Sequence, residues 1–134
     1  MKKIILTFFI LTIVFVAVGQ TNYLIGDWKL IAIENNTSNH VDSLTSKEDI
    51  ITISFTNDTI FKGHLSRNTF WGQYYSHDEN IRFNKSIAVT EICCDNEMDG
   101  SFLNQLRMTN KFLIKDNCLF LTSKLATFTL IHEE

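Results

Sequence analysis

The chain has 134 residues, 45% hydrophobic and 20% charged, with three cysteines and no proline. That is room for one domain, and the composition is too apolar for disorder. A net charge of −3 at pH 7 without any cluster of Lys and Arg argues against nucleic acid as a partner, because neutralising phosphates takes a basic footprint.

Residues 1–19 read as a signal peptide. Lys2 and Lys3 form a positive start, Ile4 to Val18 is apolar apart from Thr7 and Thr12, and Ala17-Val18-Gly19 supplies the small residues that precede cleavage, here before Gln20. The apolar run is shorter than the roughly 20 residues that cross a bilayer comfortably. The alternative is an uncleaved N-terminal anchor. No cysteine lies near the cut, which argues against a lipoprotein. The expectation is an exported protein, periplasmic or secreted, that meets membrane only through this segment. Residues 20–134 then form a single domain, whose ten Lys and Arg face fifteen acids.

From Tyr23 onward, apolar residues recur every second position, the period of a half-buried strand. Trp28, in Gly26-Asp27-Trp28, reads as an anchor closing one end of the fold. Asn35 to Asp49 is polar and aperiodic and reads as a surface loop. Ile51, Ile53 and Phe55 share a face. Phe61, Gly63 and Leu65 follow after an Asn57-Asp58 turn. Phe70, Gly72 and Tyr74 oppose Trp71, Gln73 and Tyr75. Ser76 to Asn80 reads as a polar turn before Ile81-Arg82-Phe83.

The period then changes. Phe102, Leu103, Leu106 and Met108 recur at helical spacing after Asp99 and Gly100, which can cap and start a helix, predicting a helix near 97–109 that lies across an open end of the sheet. Phe112-Leu113-Ile114, a Lys115-Asp116-Asn117 turn, Cys118 to Thr122 and Ala126 to His132 complete the chain. Short strands joined by Asn and Asp turns predict a mainly β fold of the α+β kind, an antiparallel sheet curled or closed into a barrel with one helix packed against it.

Chemistry is sparse. Cys93, Cys94 and Cys118 are an odd set for an exported chain. Either Cys94 or Cys93 bridges to Cys118, or all three are small buried hydrophobes. Adjacent Cys93-Cys94 lacks the gap with which two thiolates grip zinc. Asp95-Asn96-Glu97-Met98-Asp99-Gly100 opens like a calcium loop, but Leu106 stands where the bidentate Glu belongs. The better reading places these acids at the positive end of the helix. Trp71 and Tyr75 form a candidate binding surface, since their inward neighbours Phe70 and Tyr74 go to the core. No nucleophile elbow, zinc-protease helix or phosphate loop occurs, so neither an enzyme nor a cofactor is expected.

The order of these segments resembles the META domain, or HslJ-like, family of small exported bacterial envelope proteins. The residues that carry the resemblance are Leu24-Ile25-Gly26-Asp27-Trp28-Lys29-Leu30, Asn68-Thr69-Phe70-Trp71-Gly72-Gln73-Tyr74, Thr90-Glu91-Ile92-Cys93-Cys94, Glu97 to Leu106, and Leu119-Phe120-Leu121. The resemblance covers about residues 24–131. It implies a compact antiparallel β fold with one helix, no established enzyme activity, and a link to envelope or heat stress. Gly26, Trp28, Asn68, Phe70, Gly72 and Tyr74 would then be fold-anchoring. Where the family has Gly-Cys-Asn, this chain has Ser66-Arg67-Asn68, so a disulfide from that position to Cys94 cannot form.

The function expected on these grounds is non-catalytic binding of an envelope protein or cell-wall component. The alternative is a lipocalin-like carrier of a small apolar ligand, since Gly26-Asp27-Trp28 also fits that family's opening. A carrier keeps a cavity of a few hundred Å³, on the order of 300 or more, while the first reading needs a filled core.

Overall fold

Strand β1 (Gly26–Asn35) carries an alternation that slips once. Trp28 and Leu30 point inward. The register with the last strand then shifts between Leu30 and Ala32, so that Ile33 rather than Ala32 shares a face with buried Phe128. Ile31 is the extra residue of a β-bulge, which turns the strand and raises its local twist. The computed structural model describes residues 23–43, 50–91 and 96–134.

The remaining strands follow in chain order: β2 (His40–Ser43), β3 (Thr52–Phe55), β4 (Ile60–His64), β5 (Thr69–His77), β6 (Asn80–Phe83), β7 (Ala88–Val89), β8 (Lys111–Lys115), β9 (Cys118–Thr122) and β10 (Ala126–His132). All pairings are antiparallel. The path β1-β3-β4-β5-β6-β8-β9-β10 returns to β1, so eight strands close into a barrel. Closure satisfies the strand edges that an open sheet would leave unpaired. β7 adds to β5, and β2 adds to the second half of β1, beyond the stretch that β3 occupies.

β2 corrects the reading of Asn35 to Asp49 as loop. Residues 40–43 are all exposed, so no apolar alternation marks them, and the strand is held by its ladder to β1 alone. The polar turn at Ser76 to Asn80 is also shorter than expected. Ser76 and His77 pair with Ile81 and Asn80, leaving Asp78 and Glu79 as a two-residue connection with Asp78 at φ 52°. The hairpin between β8 and β9 places Asp116 and Asn117 at φ 52° and 61°, the left-handed pair of a type I′ turn.

The interior is aromatic. Phe55 meets Tyr74 at 4.8 Å between ring centroids, and Phe61 meets Phe83 at 5.0 Å, both edge to face. Helix α1 (Glu97–Met108) spans the opposite end. Phe102 sits 5.9 Å from Phe70 and 4.9 Å from Phe128, and Leu103 and Leu106 are buried beside it, while Met108 is exposed. The cap is Asn96, which accepts from the Asp99 amide at 2.8 Å, so Asp99 and Gly100 lie inside the first turns instead of capping the helix. The β6–β8 seam is the slightest in the barrel, with Asn80 opposite Lys111 as its one register pair. Two backbone bonds flank it, Ile81 N to Asn110 O and Phe112 N to Glu79 O.

Candidate functional site

Alternation along β5 sorts its side chains with little ambiguity. Phe70 and Tyr74 are buried, with Gly72 between them on the same face, whereas Trp71 is 46% and Tyr75 66% exposed. Trp71, Gln73 and Tyr75 therefore form a row on the outside of the wall, the two rings about 13 Å apart at ~3.3 Å per residue. Register supplies their neighbours. Lys62 of β4 and Ala88 of β7 lie opposite Trp71, Ile60 lies opposite Gln73, and Arg82 of β6 lies opposite Tyr75. Directly opposed side chains of this kind have Cβ atoms roughly 5 Å apart.

This wall is electrostatically one-sided. Strands β3 to β7 contain no Asp or Glu, and their formal cations are Lys62 and Arg82. Among the described residues the ion pairs are His40–Asp42 and His77–Asp78, so neither cation is neutralised by a carboxylate. Both edges of β5 are occupied: β4 runs along one, β6 and β7 along the other, and Asn84 N donates to Gln73 O at 2.8 Å. The aromatic row thus stands on a strand whose backbone is held on both sides at Trp71 and Gln73 and by β6 at Tyr75.

The other residues singled out in the sequence hold the barrel together. Trp28 is buried, donates its indole N–H to Leu24 O at 2.9 Å, and meets His132 edge to face at 5.2 Å. Gly26, at φ 142°, lets His132 approach to where a Cβ would be 2.9 Å from its ring nitrogen. Tyr74 donates its hydroxyl to Asn57 O at 2.6 Å. Asn68 is buried and accepts from Thr90 Oγ1 at 2.9 Å, while that same oxygen accepts from Thr69 N at 3.0 Å.

Sequence reasoning missed one connection at this end. Asp99 is 1% exposed, and its Oδ1 accepts from Ser66 Oγ at 3.0 Å, while Asn96 Nδ2 donates to Ser66 Oγ at 3.2 Å. Asp99 therefore does more than face the helix dipole. It joins the start of α1 to the β4–β5 connection. Arg67, in that connection, is exposed.

Cys118 is a free thiol among the described residues, on the outer face of β9 opposite Lys115 and Ile131. Cys93 and Cys94 lie outside the described residues, as does the signal segment. Among the described residues no three His, Cys, Asp or Glu side chains gather as metal ligands. A groove of about 520 Å³ runs outside the barrel along α1, lined by Gly100, Asn104, Gln105, Met108 and Leu125 among others, and it is open to solvent.

The META domain family model matches residues 22–134. The chain belongs to the META domain family. Two solved structures share the fold. One is the NMR structure of a protein from Burkholderia xenovorans, 19% identical, with a TM-score of 0.68 over 82% of this chain and 83% of that one. The other is the crystal structure of a DUF4847 family protein from Bacteroides vulgatus, 14% identical, with a TM-score of 0.63 over 84% and 95%. At these identities the likeness is one of fold. No curated protein matches the chain significantly. Within the META frame, Gly72, Phe70 and Tyr74 are core positions of β5, and Trp71 and Tyr75 are the side chains that strand leaves to the outside.

Proposed function

We propose that this META domain barrel is an exported, non-catalytic envelope protein that works by binding an envelope component on its outer wall, and that this binding supports tolerance of envelope or heat stress. The observation that carries the reading is the exposed Trp71–Gln73–Tyr75 row on a strand held inside the barrel wall by β4, β6 and β7. Large aromatics left in water on rigid backbone are suited to recognition, because little conformational entropy is lost when they are covered. Binding outside rather than inside is supported by the packing of the barrel, where Phe55, Phe61, Phe70, Tyr74, Phe83, Phe102 and Phe128 occupy the space a carried ligand would need.

The test is cell fractionation followed by salt washing. The natural chain is expected in the exported fraction, retained on washed envelopes. The Trp71→Ala/Tyr75→Ala double variant is expected to be exported and folded but released by the wash. Equal retention of both chains would count against this face, and a chain found wholly in the cytoplasm would remove the export reading.

A further inference from the structure

The wall carries more than two aromatic rings. It pairs each ring with a cation: Lys62 is directly opposite Trp71, and Arg82 directly opposite Tyr75. The protein is acidic as a whole, yet β3 to β7 carry no carboxylate. Asp27 of β1 lies two strands from Lys62 in the same cross-strand row, where it accepts from Ser54 Oγ and forms no ion pair with Lys62, and of the acids in the hairpin turns Asp78 is engaged by His77 at 3.1 Å. Lys62 and Arg82 are exposed. An unneutralised cation beside an exposed ring favours a ligand that offers an anion and an apolar face together.

We propose that this face binds an acidic polysaccharide, with Trp71 and Tyr75 stacking on the C–H faces of sugar rings while Lys62 and Arg82 meet carboxylates on the same chain. The proposal rests on the reading of the wall as a binding surface and names the chemistry of its ligand. Three features select a glycan. The row is extended and lies along one strand, so it matches a linear chain of rings rather than a compact ligand. Gln73, midway between the aromatics, offers both a donor and an acceptor to ring hydroxyls. Beside Trp71 and Gln73 both edges of β5 are paired, so no open edge there can capture an acidic peptide by strand addition. Two cations are also too few for strong phosphate-backbone binding.

Polygalacturonate, its fully methyl-esterified form and poly-glutamate are suitable probes, titrated against the purified chain with tryptophan emission as the readout. Trp28 is buried and Trp71 exposed, so a change on binding reports the wall. Polygalacturonate is expected to bind, with affinity falling as salt rises. The methyl ester and Lys62→Gln/Arg82→Gln are each expected to weaken binding at least about tenfold, and Trp71→Ala/Tyr75→Ala to abolish it. Equal binding of the methyl ester would overturn the role of charge. Poly-glutamate bound as tightly as polygalacturonate would replace the glycan with an acidic polypeptide. Binding of neither polymer overturns the proposal. If envelope retention still depends on Trp71 and Tyr75 in that case, the ligand class fails and the surface stands; if retention is also unaffected, both fall.

Discussion

Gly63 faces Phe70 across the β4–β5 ladder, and the ring covers the glycine so closely that a Cβ there would lie 2.3 Å from Phe70 Cζ. The arrangement is reciprocal one step along, where Gly72 faces Phe61. Each strand thus gives up a side chain so that the other can lay a ring over its backbone, which is how two phenylalanines fit side by side within a narrow barrel.

The two glycines are not equally exacting. At Gly63 an added methyl also meets the backbone oxygen of Thr52 at 2.2 Å, which cannot move without the ladder. Gly63→Ala is expected to cost about 3 kcal/mol or more. At Gly72 the closest atom is the tip of Phe61, 3.0 Å away, and Gly72→Ala should cost only about 1 kcal/mol. Urea denaturation of the two variants checks the order, and equal losses would mean the β4–β5 ladder yields more easily than this packing implies.

Phe102 is the helix's main attachment, fully buried between Phe70 and Phe128. Phe102→Ala is expected to destabilise by about 3–5 kcal/mol. Loss of α1 helicity before loss of the β signal on heating would show that the helix leaves first.

Ser66 and Asp99 form a second attachment. Ser66→Ala takes the hydroxyl donor from the buried Asp99 carboxylate and should cost about 1–3 kcal/mol, whereas Asp99→Ala leaves the half-buried Ser66 hydroxyl still bonded to Asn96 and should cost less. A double-mutant cycle is expected to give a coupling of about 1 kcal/mol or more, and additive losses would mean the contact contributes nothing of its own.

Hydrogen exchange should distinguish the seams. The Ile81 and Phe112 amides, whose bonds to Asn110 and Glu79 flank the β6–β8 junction, are expected to exchange before the amides of the β4–β5 ladder. Uniform protection around the barrel would contradict a localised weak seam.

Trp71 and Tyr75 lie on the outer face of β5, away from the core, so Trp71→Phe should leave stability within about 0.5 kcal/mol. Iodide is expected to quench a component of the native chain's emission that this variant lacks, leaving the sheltered light of Trp28.

Much of this was legible in the residues because burial on one face writes itself as alternation: β3, β5, β9 and β10 stand where period-two patterning placed them, and Phe102, Leu103 and Leu106 marked the helix. β2 was hidden because neither of its faces is buried. The bulge at Ile31 was hidden because Leu30-Ile31-Ala32-Ile33 reads as one apolar run, with nothing to show which residue is extra. The exposed aromatics could be read from β5 alone. Their cationic neighbours could not, since only the register brings Lys62 and Arg82 opposite them. The bond between Ser66 and Asp99, 33 residues apart, needed the helix to be docked first.

Barrel closure has a consequence for how the molecule comes into being. β1 is completed by β3 on one side and by β10 on the other, and β10 is synthesised after every other strand of the barrel. A growing chain can therefore assemble its early hairpins, but Trp28 and Leu30 wait for His132 and Leu130 before their strand is flanked on both sides. Closure of the wall thus depends on the last strand, and a chain stopped short of Ala126 would hold an open, adhesive rim.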